Sequence, residues 1–157
     1  MPPTLPASDD SDYSERLTPP VGLWAGIWVG SLALGLSFYV ALGPVLGLLA
    51  LLVPGVVLTA LLLQTTATVA VTGGELVAGR AHIPVSALGP ARPLTAEESR
   101  VVRGPGSDPA GFHLIRGWVP AGVRADVVDP GDRTPYWFVA TRHPHDLAAA
   151  IEAARQG

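Results

Sequence analysis

The chain has no cysteine. That excludes disulfides, thiolate nucleophiles, iron–sulfur clusters and cysteine-ligated zinc. It has no lysine either, since all ten basic residues are arginine. A Schiff-base lysine and a P-loop lysine are therefore excluded. Charge of both signs is scarce, at 15% of 157 residues, where soluble domains average roughly 25%. The scarcity is local. Asp9, Asp10, Asp12, Glu15 and Arg16 crowd the start, and the next charged residue is Glu75. An ordinary soluble globule and a disordered chain are both excluded by that gap. With a net charge of −3 and arginines scattered singly, there is no basic stripe and no expectation of nucleic acid as a partner.

The charge gap is filled by two apolar runs, 21–41 and 45–64. Each is close to the ~20 residues a helix needs to cross a bilayer core. Leu42, Gly43 and Pro44 break them, so the expectation is a two-helix transmembrane hairpin spanning 17–64. Trp24 and Tyr39 fall near the two ends of the first helix, where amphipathic rings favour the interface. Pro54 in the second removes a backbone hydrogen bond and predicts a kink. No ionisable acid or base lies in either helix, which argues against a proton relay or ion pathway. The turn carries no arginine, while Arg16 precedes the first helix and nine arginines follow the second. The positive-inside tendency then places both termini in the cytoplasm and the protein in the cytoplasmic membrane as a multi-pass chain.

Gly22, Gly26 and Gly30 recur every four residues on one face of the first helix. Small residues at that spacing let helix backbones approach. The face is either a seam for a second copy or a partner helix, or packing within the hairpin itself.

Around the hairpin the composition changes. Residues 1–16 are proline-rich and acidic and read as a disordered tail, not a signal peptide. Residues 65–157 read as a β-rich cytoplasmic domain. The expected strands are 65–72, 75–78, 81–85, 112–119, 123–128 and 136–141, with turns at Gly73-Gly74 and Gly79-Arg80. Thr95 and Glu98 form a capping-box pattern ahead of a short helix, 96–102. Leu147, Ile151 and Ala154 recur at helical spacing after Pro144 and predict a C-terminal helix over 144–155. The fold class expected is therefore α+β: a transmembrane hairpin, then a small bent sheet capped by a C-terminal helix.

Catalytic chemistry has little footing. His143, His145 and Asp146 cluster, but a helix start explains them without a metal. No cofactor, metal or catalytic residue is expected. The contact candidates in the domain are Trp118, Trp137 in the run Tyr136-Trp137-Phe138, and Arg142 at the start of the last helix. The leading expectation is a non-catalytic, membrane-anchored module that binds a protein partner or its own copy. The alternatives are lipid or small-ligand binding by the domain, and, least favoured, an enzyme acting on a membrane-associated substrate.

Four segments carry a family likeness. They are Glu15-Arg16-Leu17, Gly79-Arg80-Ala81-His82-Ile83-Pro84, Thr134-Pro135-Tyr136-Trp137 and Thr141-Arg142-His143-Pro144. Together they resemble an actinobacterial domain-of-unknown-function family of short, alanine-rich membrane proteins. The resemblance implies a two-helix protein of the cell membrane and supplies no functional residues. A weaker likeness, in element order and in Ile83-Pro84, is to bacterial pleckstrin-homology-like domains.

Overall fold

The computed structural model describes residues 13–157. Residues 1–12 of the expected tail lie outside the described residues. The chain forms two compact units, one of residues 18–66 and one that joins 13–17 to 67–157.

The first unit is a pair of helices, α1 (Val21–Leu42) and α2 (Pro44–Gln64). At ~1.5 Å per residue each is ~32 Å long, the thickness of a hydrocarbon core. Both are long and apolar enough to cross a membrane, and only 11% of each apolar stretch is buried. A single residue joins them. Gly43 adopts φ 92°, a conformation open to glycine, and its N–H bonds to the Tyr39 carbonyl at 3.0 Å. Pro44 then starts α2, where its missing N–H costs nothing. The break is thus narrower than the sequence suggested. The α1–α2 seam is made of small residues: Ser31, Gly35, Gly47 and Gly55 are the buried ones. A β-carbon on Gly47 would lie 2.6 Å from that of Tyr39, and one on Gly35 would lie 2.7 Å from that of Leu51.

The second unit holds eight strands in two four-stranded sheets. Sheet one is an antiparallel meander of β1 (Tyr13–Leu17), β2 (Ala67–Thr72), β3 (Glu75–Ala78) and β4 (Ala81–Pro84). Gly73 and Gly74 both have positive φ, as a type I′ hairpin requires. At the next turn Gly79 alone does, which fits type II′ with Arg80 second. Sheet two runs β5 (Arg92–Leu94), β7 (Gly122–Asp126), β8 (Tyr136–Ala140), β6 (Phe112–Leu114). Its β6–β8 pair is parallel and the others are antiparallel. Between β5 and β6 lies α3 (Ala96–Arg103), begun by the predicted Thr95/Glu98 capping box. The final helix, α4 (Pro144–Gln156), packs on β5 and β7 of one sheet and on β1 and β2 of the other. Leu147 and Ile151 are the buried side chains the spacing predicted. With Leu17, Val69, Val71, Leu76, Val123 and Phe138 they form one core.

Three expectations are corrected. Tyr13–Arg16, taken as tail, are most of a strand: their period-two pattern puts Tyr13, Glu15 and Leu17 on the core side. The single bent sheet is two sheets, because among the described residues no ladder joins β1–β4 to β5–β8, and the second gains an unexpected edge strand, β5, paired with β7 despite the proline at Pro93. The strand expected over 112–119 stops at Leu114, and the Val119 N–H closes a turn on the Arg116 carbonyl at 2.9 Å.

The hairpin is therefore an insertion between two paired strands. Leu17 and Ala67 face each other in the β1–β2 ladder. Replacing residues 18–66 by a two-residue Asn-Gly turn should give a soluble domain that unfolds cooperatively. A fragment 67–157 without β1 should melt lower and aggregate through the bare β2 edge. Thermal melts of the two chains check this.

Candidate functional site

Several polar groups converge on the Glu15 carboxylate, on the core side of β1 and with only 10% of its side chain exposed. A buried charge is tolerated only when donors surround it. Tyr13 donates its phenol proton to Oε2 at 2.9 Å, and the Thr141 hydroxyl donates to the same oxygen. The Arg142 backbone N–H reaches Oε1 at 3.2 Å, and the guanidinium Nη1 stands 3.9 Å away. The same Nη1 contacts the Arg16 carbonyl at 3.4 Å. Thr141, fully buried at the end of β8, also accepts the His143 N–H at 3.0 Å. One carboxylate thus fastens β1 to the junction between β8 and α4. Burial is the main reason that the Tyr13 phenol is pushed up to about 12, with the Glu15 charge adding to it. Tyr13 therefore stays a proton donor to Glu15 across the physiological range.

A second network holds the loop after α3. The His113 Nδ1 lies 2.9 Å from the Gly111 carbonyl, which can only accept, so Nδ1 carries the proton in the neutral ring. Nε2 is then free to accept from the Tyr136 hydroxyl at 2.9 Å. That hydroxyl in turn accepts the Asp108 N–H at 3.0 Å. The Arg124 guanidinium lies 4.1 Å over the Tyr136 ring. Ser107 approaches Nε2 only to 3.5 Å, too long for a firm bond.

A groove of about 660 Å³ opens between α3 and the β5–β7 side of sheet two. Leu94, Val101 and Val102 supply its apolar wall. Its cations are matched within the groove, Arg92 to Glu98 at 3.2 Å and Arg124 to Asp126 at 3.1 Å. The Thr95 backbone N–H bonds the Glu98 carboxylate first of all and holds its pKa below the ordinary range.

The contact candidates from sequence fare differently. Gly22, Gly26 and Gly30 share a face of α1 where an added β-carbon would meet nothing within 4 Å. They are therefore not the seam with α2. They border a shallow groove of about 450 Å³ with Ser31, Leu34, Pro54 and Leu58. Trp137 is corrected: it is 6% exposed, with its ring 4.0 Å from that of Phe112, and belongs to the core. The aromatic run has no free face because sheet two is covered on both sides, and every residue from Tyr136 to Ala140 is buried. Trp118 is half-buried, and its indole N–H has no acceptor. Arg142 is joined to Glu15 as above. His143 and Asp146 sit 3.9 Å apart at an exposed helix start, and no cluster of three metal-type ligands occurs among the described residues.

Two of the four likeness segments, Glu15-Arg16-Leu17 and Thr141-Arg142-His143-Pro144, thus meet at one carboxylate. The model of a family described as protein of unknown function, DUF3093, matches residues 12–151. The chain belongs to the DUF3093 family. The match runs from just before β1 into α4, so hairpin and β-rich unit are one family architecture. No curated protein and no solved structure matches the chain.

Sequence reading missed Glu15 and Thr141. A signal was present: a lone acid in the alternation Tyr13-x-Glu15-x-Leu17 predicts a carboxylate on a core-facing side.

Glu15→Ala should lower stability by about 1–3 kcal/mol, since it removes the acceptor of two hydroxyls and of the Arg142 backbone N–H. Denaturant melts of the domain closed by the Asn-Gly turn measure it. A free tyrosine ionises near 10, below Tyr13 in the folded chain. The stability tied to this difference is complete below pH 10 and is lost as pH rises towards 12. In Tyr13→Phe that alkaline decline should be shallower. Tyr136→Phe should cost about 1–2 kcal/mol and speed amide exchange across residues 104–111.

Proposed function

We propose that this DUF3093 protein is a non-catalytic interaction module held in the cytoplasmic membrane by its helical hairpin. In this reading the β-rich domain and both termini are cytoplasmic, and the origin is actinobacterial. The occupant of the free helix face is a protein partner or a second copy of the chain. The observation that carries the reading is that Gly22, Gly26 and Gly30 leave their face of α1 open, while the hairpin closes on itself through other glycines. Lipid tails are as apolar as leucine, so close backbone approach is what such a face offers in a bilayer. The pleckstrin-homology likeness stays a proposal too. A final helix packed on two sheets supports it, and the parallel β6–β8 pair departs from a simple antiparallel meander.

A second reading, lipid or small-ligand binding by the domain, draws on the groove between α3 and β5–β7. An enzyme at His143/His145 is the least favoured reading, because both side chains are exposed at a helix start.

Gly26→Ile adds bulk where the monomer has room. It should abolish self-crosslinking or partner recovery in native membranes and leave the hairpin intact. Gly47→Ile, placed in the seam, should instead disrupt the hairpin itself. An unchanged mass in mild detergent and unchanged crosslinks for Gly26→Ile would remove the open face as a contact.

A further inference from the structure

We infer that Arg16 and Arg80 form a paired cationic site that seats one end of sheet one on anionic lipid headgroups. The inference rests on the membrane-hairpin reading and adds to it a lipid chemistry and two residues.

In sequence the two arginines are remote, one before α1 and one well beyond α2. The sheet brings them together. Arg16 pairs with Thr68 across the β1–β2 ladder, and the Thr68 carbonyl accepts the Gly79 N–H at 2.8 Å from the other side. Thr68 is thus flanked by Arg16 on β1 and by the Gly79-Arg80 turn on the β3 side. Two strand spacings separate them, ~10 Å. Glycine at the first central position makes the tight type II′ turn possible and presents Arg80 at its tip.

This end of the sheet is also where the chain runs on into the apolar helices. Three residues, 18–20, lie between Leu17 and Val21, and two, 65–66, between Gln64 and Ala67. A span of that length covers at most ~14 Å even when fully extended. The first arginine after α2 in the sequence is Arg80, and the β3–β4 turn sets it at the same end of sheet one as Arg16.

Both side chains are exposed, and neither has an ion pair or a side-chain hydrogen bond among the described residues. Most of the other arginines are engaged. Arg92, Arg100, Arg124, Arg142 and Arg155 each pair with a carboxylate, and Arg103 bonds two carbonyls. Along sheet one the charges are also segregated. Glu75 faces Thr72 at the opposite end, and Glu15 points to the core. Two unmatched guanidiniums beside the entry into hydrocarbon are matched by a phosphodiester surface, which guanidinium recognises in its planar donor geometry.

The test uses the full chain in nanodiscs of pure phosphatidylcholine and in nanodiscs with about one-third phosphatidylglycerol, read by amide exchange over residues 76–84. Incorporation into either disc reports on the hairpin reading separately. Exchange should slow roughly thirtyfold in anionic discs, as expected for two arginines near a charged surface. High salt and the double variant Arg16→Gln/Arg80→Gln should remove the difference, and Arg133→Gln should not. Unchanged exchange across β8 shows that the variants are folded. Equal exchange in both lipids would overturn the proposal. So would protection by inorganic phosphate alone in neutral discs, which would assign the pair to a soluble anion.

Discussion

The docking of β1 onto the rest of the β-rich unit turns on one largely buried carboxylate being satisfied. Glu15 sits on the core side of β1, where an unpaired charge would cost several kcal/mol. Its partners come from three places: the same strand (Tyr13), the end of β8 (Thr141) and the start of α4 (Arg142). Those donors meet only when β1 is paired with β2 and α4 has docked. The carboxylate therefore gives specificity more than net stability. It selects one register for β1, because a one-residue slip would send Glu15 to solvent and Arg16 into the core.

That register fixes the relation between sequence and architecture. The strand that completes sheet one is made before the hairpin, and its partner after it. Closing the β1–β2 pair spans about fifty intervening residues, which raises the contact order of the β-rich unit. The hairpin meets this demand with a compact connection, one glycine between two helices and a seam of small residues. The ends that must meet, Leu17 and Ala67, then emerge from an element whose own ends are close in space, since its two helices are antiparallel neighbours.

Much of this was legible in the sequence, and the remainder was hidden for physical reasons. The apolar runs, the Gly73-Gly74 and Gly79-Arg80 turns, the capping box and the Leu147/Ile151 face are local patterns, and the structure has them within a residue or two. β1 was hidden because its alternation contains an acid where a core residue belongs, and because proline-rich residues precede it. β5 was hidden because it is three residues long and contains Pro93; only pairing with β7 defines it. Trp137 looked like a surface residue because alternation gives a strand two faces, and no local signal says that both are covered. The open glycine face of α1 was legible as spacing. That it stands open, bordering a groove with Pro54 and Leu58 instead of packing on α2, required the structure.

The most direct test is a pair of cysteines in a chain that has none of its own. Ser14 and Ala70 are register partners on the outer face of sheet one, and directly opposed residues stand ~4.5–5.5 Å apart, within disulfide reach. In native membranes the Ser14→Cys/Ala70→Cys chain should oxidise rapidly and completely within the molecule, and Ser14→Cys/Thr72→Cys, one diagonal step out of register, should lag far behind. Equal rates for the two pairs, or no intramolecular bond in either, would contradict a domain closed by a strand from before the hairpin.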